Sequence, residues 1–72
     1  METLINSDNY IDRLRAANQG YGLEQLINDE NWRVRKAVVK QGYGLEKLAK
    51  DKNEAVRAAA KEKLKELKQC KG

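Results

Sequence analysis

The chain has 72 residues, a net charge of +4, one cysteine and no histidine, proline or phenylalanine. A chain of this size hides only about 60% of its unfolded surface, so it makes one domain with a thin core. Cys70 alone closes no internal bridge, and without histidine no metal staple, cofactor site or histidine-based acid–base catalysis is expected. With 36% charged residues and a helix-friendly polar set, the composition argues for helix and against a β fold. No apolar run nears the roughly 20 residues that cross a bilayer, and residues 1–9 have no basic start or long apolar stretch. A cytoplasmic protein is the expectation.

In chain order, the pattern predicts a short opening helix near 2–6, a helix over 10–18 and a shorter one over 23–28. Asn31 is a good N-cap for a helix from Trp32 to about Lys40, and Gly42 is placed to close it. A short segment follows over 44–50, where Leu45, Leu48 and Ala49 share one face and part of the turn can be 3₁₀. The last helix, 54–69, has Leu64-Lys65-Glu66 where earlier units have Gly-Tyr-Gly, so it should run unbroken. Val56, Ala60, Leu64 and Leu67 form its apolar stripe.

These elements recur with a period of 22. Gln19-Gly20-Tyr21-Gly22-Leu23-Glu24-Gln25-Leu26 returns as Gln41-Gly42-Tyr43-Gly44-Leu45-Glu46-Lys47-Leu48. Asp29 falls on Asp51, Asn31 on Asn53, Tyr10 on Trp32 and Val34 on Val56. Arg13, Arg35 and Arg57 form one column. The chain therefore divides into a half-repeat at 1–9, repeats at 10–31 and 32–53, and a capping helix at 54–69. The fold expected is all-α, a short α-solenoid of helix–turn–short-helix units that closes with a long, charged terminal helix.

The runs Asn31-Trp32-Arg33-Val34-Arg35-Lys36-Ala37-Val38-Val39 and Asn53-Glu54-Ala55-Val56-Arg57-Ala58-Ala59-Ala60 resemble the HEAT-like repeats, most closely the variant leucine-rich repeat of bacterial proteins. The resemblance covers nearly the whole chain. It implies a right-handed helical stack that binds proteins or, in some members, nucleic acid. The first unit departs from the pattern: Asp12 stands where the others have Val34 and Val56, and Ile11 and Leu14 stand where the second has Arg33 and Lys36. Either the first helix is turned to bury that pair, or it exposes an apolar strip.

Several columns could carry function. The arginines can hold an acidic partner, or pair with Asp29 and Asp51 to fix the stacking; the fork of arginine suits the second task. Tyr21 and Tyr43 sit between glycines and can form a stacking ridge or cover the edge of a neighbouring unit. Arg33, Lys36 and Lys40 fall on one helix face. Lys61, Lys65 and Lys68 fall on one face of the last helix, in a half (residues 36–72) whose net charge is +6 against −2 for residues 1–35. Such stripes can meet phosphate, or be solvated faces balanced by Glu62 and Glu66.

No serine or threonine lies near a candidate base, and the Gly-Tyr-Gly turns lack the Lys-Ser/Thr of a phosphate loop, so an enzyme is not expected. The sequence points instead to a module that binds another protein, as a monomer or weak homo-oligomer, through Tyr21, Tyr43, Ile11, Leu14, Arg33, Lys36 and Lys40. The alternatives are nucleic-acid binding through Lys61, Lys65 and Lys68, or a purely structural module or small inhibitor of a larger host protein.

Overall fold

Asn9, Asn31 and Asn53 start the three long helices in the same way. Each side chain accepts from the backbone N–H two residues on, at Ile11 (3.0 Å), Arg33 (2.9 Å) and Ala55 (2.8 Å). Each thereby satisfies a donor that the first helical turn leaves unpaired. The computed structural model describes residues 7–69. Over these residues the chain is all-helical: α1 (Tyr10–Asn18), α2 (Leu23–Leu26), α3 (Trp32–Lys40), α4 (Leu45–Leu48) and α5 (Glu54–Gln69). The opening helix expected near 2–6 and Cys70 lie outside the described residues.

The turn after α3 explains why a glycine pair brackets each tyrosine. Gly42 takes φ +76°, its N–H bonds the Val39 carbonyl at 2.8 Å, and the Tyr43 N–H reaches the Val38 carbonyl. This is the Schellman closure, and α1 ends the same way through Gly20 and Tyr21. Gly44 then takes φ +61° to start α4, and a Cβ there would stand 2.1 Å from Ile27 Cδ1. The backbone conformation calls for glycine, and a Cβ would also push aside the terminal methyl of Ile27.

The short helices are shorter than the sequence suggests, four residues each instead of spans over 23–28 and 44–50. The reason is in their closing bonds. The N–H groups of Asn28 and Asp29 reach back only three residues, to Gln25 and Leu26, and those of Lys50 and Asp51 do the same to Lys47 and Leu48. That 3₁₀ pattern tightens the chain into the next loop.

The core is built from residues 22 apart. Ala16, Val38 and Ala60 are fully buried at matching places on α1, α3 and α5. Val34 matches Val56, and Leu26 on α2 matches Leu48 on α4, again with almost no exposure. Each such valine or leucine contributes about 1.5–3 kcal/mol by leaving water. α3 lies between α1 and α5; α2 packs on α1 and α3, and α4 on α3 and α5. The apolar column ends on α5: Ala17 and Val39 are buried, while the third member, Lys61, is exposed. On the expected stripe of α5, Val56 and Ala60 are buried and Leu64 is half-buried, but Leu67 is 50% exposed. It lies about three turns beyond Val56 on the longest helix.

Candidate partner-binding surface

The arginine column is a ladder along one edge of the molecule. Arg13 sets Nε and Nη2 against the two oxygens of Asp29 at 2.6 and 3.3 Å. Arg35 does the same to Asp51 at 2.8 and 3.0 Å. The remaining nitrogen turns back: Arg13 Nη1 donates to the Ser7 carbonyl, Arg35 Nη1 to that of Asp29 and Arg57 Nη1 to that of Asp51, at 2.6, 2.6 and 2.8 Å. Each aspartate also accepts the N–H of the capping asparagine two residues on, at 2.9 Å for Asn31 and 2.8 Å for Asn53. One aspartate therefore shapes a loop and receives two arginines from different helices, the bidentate use for which arginine is suited. Burial raises the Asp51 carboxyl. The hydrogen bonds from the Arg35 side chain and the Asn53 N–H, with the charges of Arg35 and Lys52, outweigh it and hold the group below its ordinary range. The first two arginines thus have the structural role.

The outer face of α1, α3 and α5 has a different logic. The arginine register shows that α1 is not rotated. Ile11 is 46% exposed, and Leu14 is half-buried against the core. The pair therefore splits: neither the fully turned-in helix nor the fully exposed strip describes it. The odd residue Asp12 accepts the Ser7 hydroxyl at 2.9 Å, which gives its carboxylate a partner where later units bury valine.

Arg33 stands one unit on from Ile11. Its guanidinium carbon lies 4.8 Å from the Trp32 ring centre and 5.8 Å from that of Tyr10. Trp32 and Tyr10 are half-buried against the core and also provide a stacking platform for Arg33. Lys36 is half-buried and Lys40 exposed. Together they form one wall of a shallow groove of about 540 Å³ between α3 and α5. Val39, Ala55, Ala58 and Ala59 form its floor, and Glu62, Lys63 and Glu66 its other wall.

The groove residues on α5 were not foreseen from the sequence. The signal was there: positions 11, 33 and 55 read Ile, Arg, Ala, and 14, 36 and 58 read Leu, Lys, Ala. The groove exists because the third member of each column has lost its bulk.

Tyr21 and Tyr43 are 44% and 38% exposed, at the second position beyond the C-caps Gln19 and Gln41. A large side chain there commonly packs back on the last turn of the helix, and these rings stay only partly covered. Lys61 and Lys65 are exposed on α5; the side chain of Lys68 lies outside the described residues. Glu62 and Glu66 point into the groove beside Lys63, so α5 presents mixed charge there. Among the described residues, no group of three or more His, Cys, Asp or Glu is arranged to hold a metal ion, and no helix is long and apolar enough to cross a membrane.

No family model, curated protein or solved structure matches the chain.

Proposed function

We propose that the chain is a short α-solenoid of 22-residue units, capped by α5, and that it works as a non-catalytic module binding another protein on the outer face of α1, α3 and α5. The observation that carries this reading is the face itself. Within one register it offers a half-exposed isoleucine, a stacked arginine and an alanine-floored groove with a lysine wall. Apolar contact area beside fixed cationic groups is the chemistry of a protein interface, where arginine and aromatic residues are enriched. The solenoid reading, and the right-handed HEAT-like stack that the sequence resembles, draw support from the position of α3 between α1 and α5 and from Arg–Asp pairs of the same form at two junctions.

Two measurements test it. Fluorescence anisotropy with labelled duplex and single-stranded DNA and RNA, at low and near-physiological salt, should give binding at low salt only, or none. Micromolar binding that survives physiological salt would replace this reading by the nucleic-acid one. In parallel, wild-type protein and the Ile11→Glu/Ala58→Arg variant serve as baits against the same lysate. A protein retained by the wild type and lost by the variant, at unchanged melting temperature, supports the proposed face. Equal retention by both removes it.

A further inference from the structure

We infer that Arg57, at the edge of α5, is a preformed seat for a carboxylate from an acidic segment of a partner protein. It is a different surface from the groove and stands independently of it. The chain displays the occupied form of this seat twice. Arg13 and Arg35 each bond a preceding carbonyl through Nη1, and that bond aims Nε and Nη2 at the two oxygens of an aspartate. Arg57 makes the orienting bond, Nη1 to the Asp51 carbonyl at 2.8 Å, in the same register. No carboxylate among the described residues meets its Nε and Nη2. Arg57 is half-buried as a residue and its guanidinium is held by the same carbonyl bond as its two relatives, so the fork is pre-organised to receive a planar, two-oxygen anion.

The surroundings favour an acidic occupant. Lys61 and Lys65 follow Arg57 at successive four-residue steps and are exposed, so a cationic strip runs from the seat along α5. Lys61 also takes the place where Ala17 and Val39 are buried, so this edge is not built to take another apolar helix of the same kind. A second copy stacked end to end is a poor occupant for the same ladder. Ser7 holds the loop position of Asp29 and Asp51 and uses its hydroxyl to accept the Asn9 N–H, so that loop brings no carboxylate there.

The test uses the full chain and a fluorescein-labelled hexapeptide of alternating aspartate and glutamate, with its Asn/Gln counterpart and a dT10 oligonucleotide as controls. The arginine Nε–Hε resonances are followed in the same titration. The expected result is a shift of the Arg57 signal on adding the acidic peptide, with those of Arg13 and Arg35 unmoved because their forks are occupied. Arg57→Gln should weaken peptide binding about tenfold. Arg57→Lys should weaken it nearly as much while keeping the charge. An unshifted Arg57 signal at millimolar peptide would overturn the inference. So would full binding by Arg57→Lys, which would make the strip a plain charge and not a fork. Binding of dT10 in preference to the peptide would overturn it in favour of phosphate.

Discussion

The ladder edge and the outer face are built on the same three helices, yet they treat the 22-residue period in opposite ways. On the edge, the residue type is held at each step: Arg13, Arg35 and Arg57 on the helices, Asp29 and Asp51 in the loops. On the face, it changes at each step: isoleucine, arginine, alanine, then leucine, lysine, alanine. A position whose side chain must satisfy a fixed neighbour in the next unit admits one chemistry. A position that looks outward is released from that demand and can be shaped for a partner. On these two surfaces the uniform columns mark assembly, and the broken columns mark the open face.

That contrast fails if edge and face substitutions cost alike. The largest effect should come from Arg35→Ala, which strips Asp51 Oδ1 and the Asp29 carbonyl of the arginine donor and leaves Asp51 Oδ2 only the Asn53 N–H. Losing one partner of a largely buried pair costs about 3 kcal/mol or more, and denaturant unfolding should show it as a large fall in midpoint. Gly44→Ala comes next, at about 2 kcal/mol or more, because strain at positive φ adds to a clash with Ile27. Gly42→Ala makes the sharper comparison. Its φ is also positive, but nothing lies within 4 Å of the added Cβ, so the difference in melting temperature isolates the Ile27 contact.

A smaller effect should follow pH. The Asp51 carboxyl is lowered below its ordinary 3.8, so its share of stability is complete above that value and is lost as the pH falls through the folded-state value. Melting temperatures of wild type and Asp51→Asn should differ most near neutrality and converge in acid. A constant gap down to low pH would detach the ladder from ionisation. The smallest effect belongs to the face. Ile11→Lys should change stability by no more than about 0.5 kcal/mol, and Arg33→Ala by about 0.5–1 kcal/mol through the lost ring stacking.

The edge was legible in the sequence for the reason it is uniform. Three arginines and two aspartates at one spacing leave little choice of partner, and the asparagine caps and glycine closures are local chemistry that a short window contains. The face was legible only in part. Ile11 and Leu14 sit three residues apart and look alike in sequence. Whether each meets the core depends on which flank of α1 its neighbours cover, and that is decided by packing. The groove was harder still, since it is made by what Ala55 and Ala58 lack beside the bulk of Lys36 and Lys40. Leu67 obeys the apolar period of α5, but a period says nothing about how far the covering layer extends. Sequence leaves the tyrosines as a ridge or as edge covers, and their backbone role in closing α1 and α3 stands apart from where the rings point.

Asp29 serves two masters: its carboxylate holds Arg13 of α1 and its carbonyl holds Arg35 of α3. Asp51 repeats the arrangement for Arg35 and Arg57. Neither helix can detach without loosening the loop that anchors its neighbour. Opening at one end is therefore transmitted along the row, and amide exchange in α1, α3 and α5 should slow together as one cooperative unit, although the chain is assembled from pieces too small to fold alone.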